Sequence, residues 1–215
     1  MKAWIAILLV VFAARTDGAW AAKAVCVVCA LSGETKQEEA VATRQLDGVE
    51  LSFCSAKCAA EFDQDPYAYV FAPGPFPEMT FVSLAGDTIS TSKLRGKIVL
   101  IDFWATWCQP CVKSMPDLDA LQREHGGKVV VVGVSVDQGS DREKKVRKFL
   151  EKHPVGYPIV VDADRNSAWE QLRVKVLPTL YLVAPDGTTV SRHAGPLRLA
   201  ELKQEIDALS PGRPD

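Results

Sequence analysis

The chain has 215 residues, 47% of them hydrophobic and 24% charged, with a net charge of −2. Its apolar share can fill a globular core, its length suits one large domain or two smaller ones, and no basic surplus argues for a nucleic-acid partner. Its six cysteines fall into three groups, Cys26/Cys29, Cys54/Cys58 and Cys108/Cys111. Such clustering points to metal ligands or redox pairs rather than to a scattered disulfide framework.

Lys2 and the apolar run from Ala3 to Ala14, followed by the small-x-small stretch Ala19-Trp20-Ala21, read as a signal peptide over residues 1–21, cleaved near Ala21. The run is short for a bilayer span. An uncleaved N-terminal membrane anchor is the alternative, and either way the bulk of the chain is exported.

Residues 23–72 carry four of the six cysteines. Cys26-Val27-Val28-Cys29 suggests a tight knuckle, and Val49 to Phe53 alternates like a strand leading into Cys54. Ser55 is placed to cap a helix over Ala56 to Phe62, which Pro66 stops. Cys54 and Cys58 then point the same way, and with Cys26 and Cys29 a tetrahedral sulfur set can form. This segment resembles the YHS/TRASH family of small metal-binding modules, through the C-x-x-C, Phe53-Cys54-Ser55-Ala56-Lys57-Cys58, Phe62 and Asp65-Pro66-Tyr67-Ala68-Tyr69. The resemblance implies Cys29, Cys54 and Cys58 as ligands with Cys26 as the natural fourth, and zinc or copper(I) as the metal. Val27 and Ala30 depart from the proline and glycine common in that family's knuckle, which bears on Cys26. Two disulfides, allowed in an exported protein, or a second redox pair are the competing readings. So small a segment needs a staple of some kind. His125, His153 and His193 are scattered through the later residues and are expected on the surface rather than as ligands.

Residues 73–77, Pro73-Gly74-Pro75-Phe76-Pro77, read as a stiff proline-rich linker. Over 78–210 strands and helices alternate. A hairpin turns at Gly86-Asp87, and Lys97 to Asp102 is a buried strand. A helix with Leu118 and Leu121 on one face stops at Gly126-Gly127, and a continuous apolar strand runs from Lys128 to Val136. A charged amphipathic helix (Asp141 to Lys152), the strand Ile159 to Val161 and a helix from Ser167 to Leu172 follow. The strand Thr179 to Val183, a hairpin at Pro185 to Thr188 into Thr189 to Ser191, and a last helix from Leu199 to Leu209 complete the order. Residues 211–215 are a tail. The alternation predicts an α/β sandwich with a central mixed sheet.

Cys108-Gln109-Pro110-Cys111 falls between that buried strand and its helix. Unpaired N–H groups and the positive end of the helix dipole there stabilise a thiolate at Cys108, and Cys111, one turn on, can attack a mixed disulfide. Cys108 is expected to be the exposed sulfur. Gln109-Pro110 adds no charge to hold the thiolate, which argues for a pair that reduces rather than oxidises its substrates. At these residues, with Leu94-Arg95-Gly96-Lys97, Phe103 to Cys108 and Val176-Leu177-Pro178-Thr179, the chain resembles the TlpA/ResA-like thiol-disulfide oxidoreductases of the thioredoxin superfamily. The resemblance implies a thioredoxin-like sandwich with a redox-active disulfide and no further cofactor for its chemistry. It also implies a cis Pro178 opposite the C-x-x-C, exposing the Leu177 backbone to a substrate strand, with Trp107 as a further substrate contact.

Two departures concern the proton. Ser114 stands where the family commonly has glutamate, and Asp102 where it often has asparagine and thioredoxins have aspartate. Asp102 is therefore the candidate base for Cys111, although Gly133 offers no lysine where thioredoxins place a partner. The family setting implies a periplasmic protein that reduces a disulfide-containing protein substrate and is recharged by a membrane thiol reductant. Substrates of that kind include apocytochrome c or the copper-site cysteines of a respiratory oxidase. The rivals are a metal-delivery protein whose thioredoxin-like part only docks a partner, and a peroxidase, whose Pro-x-x-x-Thr-x-x-Cys loop does not precede Cys108.

Overall fold

The computed structural model describes residues 23–31, 34, 36–162 and 167–210. The expected signal peptide over 1–21 and the tail at 211–215 lie outside the described residues.

The front segment consists of β1 (Lys23–Val25), α1 (Val27–Leu31), β2 (Gln37–Glu39), β3 (Ala42–Leu46), β4 (Val49–Phe53) and α2 (Ala56–Gln64). β3 and β4 form a hairpin whose turn residues, Asp47 and Gly48, have φ of 51° and 80°. Two left-handed residues match the twist of the flanking strands, and aspartate followed by glycine tolerates them best. Ser55 caps α2 as expected, its Oγ accepting from the Cys58 N–H at 3.2 Å. Phe53 and Phe62 pack at 5.0 Å between ring centroids, over Ala59, Ala68 and Cys26, in a core separate from the rest.

β5 (Gly74–Pro75), β6 (Thr80–Val82), β7 (Thr88–Ser90), β8 (Ile98–Trp104), α3 (Gln109–Glu124), β9 (Val129–Ser135), α4 (Arg142–Leu150), β10 (Ile159–Val161), α5 (Ala168–Gln171), β11 (Thr179–Val183), β12 (Thr188–Ala194) and α6 (Leu199–Leu209) follow. The six-stranded sheet has the order β10-β9-β8-β11-β12-β5. β8 is parallel to β9 and antiparallel to β11, so the sheet is mixed, as expected.

The proline-rich stretch, expected as a stiff linker, also contributes an edge strand to the main sheet. Gly74 and Pro75 pair with Thr189 and Thr188, and the Phe76 N–H donates to Gly187 O at 2.9 Å. Phe76 is buried against Tyr181. An edge strand is where proline can join a sheet, since only one side needs donors, and a phenylalanine beside it gains by burial. The front segment also meets the main body directly, through ion pairs of Asp65 with Arg173 and, at 3.6 Å, with Lys175.

β8 is buried along its whole length. Successive side chains alternate between faces. Ile98, Leu100 and Trp104 join Met115, Leu118 and Leu121 of α3, Val146 of α4 and Leu202 and Ile206 of α6. Val99, Ile101 and Phe103 join Phe81, Val134, Val160, Ala168 and Tyr181 on the other face. Asp102 is the polar member of the first row. Opposite it on β9 is Gly133, where an added Cβ would lie 2.6 Å from Ile159 Cδ1 and 3.0 Å from Tyr157 Cε2. Those two side chains fill the space a lysine would need.

Gly133→Ala is accordingly expected to destabilise the oxidised protein by about 1–3 kcal/mol, the usual cost of overpacking. The midpoint of urea unfolding reads it out, and an unchanged midpoint would mean that Ile159 and Tyr157 yield freely.

Candidate redox site and cysteine cluster

β8 delivers the chain to a short loop, and the loop is held by a carboxylate that sequence reasoning missed. Buried Asp137 accepts from the Thr106 N–H at 2.9 Å, the Thr106 hydroxyl at 2.6 Å and the Ser135 hydroxyl at 2.8 Å. Three donors satisfy a charge that burial would otherwise penalise. Its partners are 2 and 31 residues away, and no spacing rule reaches the farther one.

Cys108 then caps α3, its Sγ accepting from the Cys111 N–H at 3.3 Å, and the two cysteines are joined as a disulfide. Cys108 is 5% exposed and Cys111 0%. The order of accessibility is as expected, but Cys108 is not openly exposed, because its bond to the core-facing Cys111 keeps its sulfur against the helix start. The exposed group is its neighbour Trp107, at 67%. The Leu177-Pro178 peptide is cis. Leu177 is half-buried against the core that contains Cys108 and Cys111. The pairing of Thr179 with Phe103 puts Pro178 at the same end of the sheet as the disulfide.

Asp102 is 1% exposed and its Oδ2 has no hydrogen-bond partner. Burial strips the carboxylate of water and raises its pKa from 3.8 to about 7. It lines a small cavity with Ser114, Pro178, Leu180 and His193. Asp102 and Ser114 therefore border one space. His193 corrects a surface expectation, being buried at 6% exposure. Its Nε2 lies 2.8 Å from Glu205 Oε2, a partner that lets the ring sit inside. His153 is exposed and stacks on Phe149.

Away from this site the other four cysteines converge. Cys29 and Cys54 have sulfurs 3.6 Å apart, Cys54 and Cys58 3.7 Å, Cys29 and Cys58 3.9 Å, and all four, Cys26 included, lie within 4.8 Å of one another. No bond joins them to each other. Thiolates about 2.3 Å from one zinc stand about 3.8 Å apart, so the cluster has the spacing of a tetrahedral sulfur site. Burial works against charge on Cys26. Hydrogen bonds from the backbone and thiols of Cys54 and Cys29 outweigh it and bring the Cys26 thiol to about 7. Cys29 is pushed well up, first by burial and then by its contacts with Cys54, Cys26 and Cys58. Such a set gathers negative charge most readily around a cation.

A profile of the AhpC/TSA family matches residues 74–192, starting at the edge strand β5. The chain is 34% identical over 131 residues to the thioredoxin-like protein YneN of Bacillus subtilis, covering 61% of this chain and 76% of that one. It is 32% identical over 136 residues to the thiol-disulfide oxidoreductase ResA of the same organism, covering 63% and 74%. Among solved structures, the exposed lipoprotein thioredoxin Etrx1 of Streptococcus pneumoniae superposes with a TM-score of 0.55 at 26% identity, covering 62% of this chain and 100% of that one.

The raised pKa of Asp102 fixes a sign. Between pH 3.8 and about 7 the folded chain holds this proton and the unfolded chain does not, so the group's contribution to stability falls as pH rises through that window and is level above it. At about 1.4 kcal/mol per unit, the full penalty is on the order of 4 kcal/mol. Asp102→Asn is expected to be more stable than the parent by about 2–4 kcal/mol near pH 8 and by little near pH 4. Urea unfolding of both oxidised proteins at the two pH values checks this. A difference that does not change with pH would show that Asp102 does not titrate in the window.

Proposed function

Because the chain belongs to the AhpC/TSA family and is a thioredoxin-like thiol-disulfide oxidoreductase, we propose that it works as an exported reductant of protein disulfides, with a metal-binding segment in front. One observation carries this reading: a cysteine pair at the start of α3, joined as a disulfide, whose outer sulfur is held by the Cys111 N–H while exposed Gln109 and Pro110 offer it no charge. A thiolate held by backbone dipole alone is less stabilised than one with an added cation. The disulfide it forms is correspondingly less oxidising.

In the reaction, the Cys108 thiolate attacks one sulfur of a substrate disulfide, and the other leaves as a thiolate. Asp102 takes the proton of Cys111, whose sulfur then attacks Cys108 Sγ. The second substrate thiolate departs and the Cys108–Cys111 bond forms. Two electrons pass to the substrate, and a membrane thiol reductant supplies two to reopen the pair. Trp107 offers an apolar ledge to the substrate. Pro178 carries no N–H of its own, and Leu177 offers backbone groups beside the disulfide.

Cys26, Cys29, Cys54 and Cys58 would hold zinc or copper(I), since thiolates select soft cations. A closed set of four would make the metal a structural staple for a segment whose own core is small. A metal site next to a reductase suits substrates that must be reduced before receiving a metal or haem, such as apocytochrome c or a copper-site protein. Export rests on the sequence of residues 1–21 and on the exposed lipoprotein among the structural relatives. Among the described residues no helix is long and apolar enough to cross a membrane. The cysteine cluster also favours a second reading, metal delivery with a docking thioredoxin-like part. Reversible two-electron reduction of Cys108–Cys111 would exclude it.

Two outcomes are expected. Cys108→Ser abolishes disulfide exchange, whereas Cys111→Ser accumulates mixed disulfides with substrate. Alkylation mapping in which Cys111 reacts first in the reduced native protein would reverse these roles. Native mass spectrometry of the full chain is expected to show one bound zinc or copper(I), lost with helical signal on chelation. A metal-free mass six hydrogens below that of the fully reduced chain, two of them from Cys108–Cys111, would mean two disulfides in the front segment instead.

A further inference from the structure

Asp102 cannot hand its proton directly to solvent, because it lies between layers. Leu180 pairs with Asp102 on one side and His193 on the other, so the three stand in one row across β8, β11 and β12. Asp102 and His193 line the same cavity of about 10 Å³, roughly the space of one water molecule. Each of these two residues also has a buried polar atom without a hydrogen-bond partner, Asp102 Oδ2 and His193 Nδ1. The other ring nitrogen is engaged. Nε2 lies 2.8 Å from Glu205 Oε2 and 3.1 Å from Ser191 Oγ, while the Ser191 hydroxyl donates to the same Glu205 oxygen at 2.6 Å. An ionised carboxylate only accepts, so Nε2 carries the ring proton and Nδ1 is left as the acceptor. Glu205 reaches the surface, its side chain 34% exposed.

We propose that His193 and Glu205 are the proton exit for Asp102, connecting the buried carboxyl to solvent through the cavity. The inference rests on the disulfide-exchange reading above. After Asp102 has taken the proton of Cys111, its carboxyl donates through a water in the cavity to Nδ1, the Nε2 proton passes to Glu205, and Glu205 releases it to solvent. One proton enters at Nδ1 and one leaves from Nε2, so Asp102 and Glu205 return to their starting states while His193 is left with its proton on Nδ1. Reduction of the pair then draws a proton back along the same route to Cys111 and restores the Nε2–H. His193 and Glu205 act through Asp102 and touch neither sulfur, which makes them positioning residues. A further titratable group, Tyr157, senses both Asp102 and Asp119. Burial first, and then those two carboxylates, raises the Tyr157 hydroxyl far above neutrality. It keeps its proton, so it is no exit.

The test uses the full reduced chain and dithiobis(nitrobenzoate), an aromatic disulfide that releases one coloured thiolate when Cys108 attacks and a second when Cys111 resolves the adduct. His193→Gln is expected to slow the second release about tenfold near neutral pH while sparing the first, and to approach the parent rate near pH 9, where hydroxide takes the Cys111 proton directly. Glu205→Gln should show a smaller loss over the same pH range. It decides the matter alone if His193→Gln fails to fold. Slowing by one factor at all pH values, slowing of both phases, or no slowing would overturn the exit. A parent protein that shows no Cys108-dependent first release would instead strike the disulfide-exchange reading beneath it.

Discussion

A strand buried on both faces has no water to offer a polar side chain, and β8 is such a strand. Its odd and even positions each feed a hydrophobic layer, so along β8 Asp102 shares its face with Ile98, Leu100 and Trp104. The sheet leaves it one small cavity and one open hydrogen-bonding oxygen. That solvation deficit places its pKa near the range where a thiol proton can be accepted and passed on. The same burial makes β8 a rigid base for the disulfide at its end.

The loop between β8 and α3 converts that rigidity into chemistry. Asp137 fixes Thr106 by two hydrogen bonds, Trp107 is left outside, and Cys108 becomes the first group of the helix. The helix supplies N–H groups to the sulfur and places Cys111 one turn in, where it is fully enclosed. Ser114 borders the same cavity as Asp102, which is the carboxyl among its lining residues. Two carboxyls in that space would compete for one desolvated position, and only one could ionise cheaply.

The front segment follows another constraint. Its core is a few aromatic and small residues around Phe53 and Phe62, with four cysteine sulfurs gathered at one side. It does not hang on a free tether. Gly74 and Pro75 continue the main sheet, and Asp65 meets Arg173 and Lys175 just ahead of the cis-proline loop.

Much of this was legible in the chain itself, because it depends on neighbours in sequence. The period-two strands, the helix that starts at Cys108, the Ser55 cap, the C-x-x-C motif and the leucine before Pro178 are local patterns. The carboxylate inside an apolar run announced its own burial. The Asp47-Gly48 turn is equally legible, as a pair made for a tight hairpin. What only the tertiary structure decided involves partners far apart in sequence. Asp137 is tied to Thr106, His193 was drawn inward by Glu205 and set in a row with Asp102, and a proline-rich stretch became an edge strand because β12 had an open side. Sequence spacing fixes which face of an element a residue occupies; which other element covers that face, and with what polar group, is settled only when the layers pack.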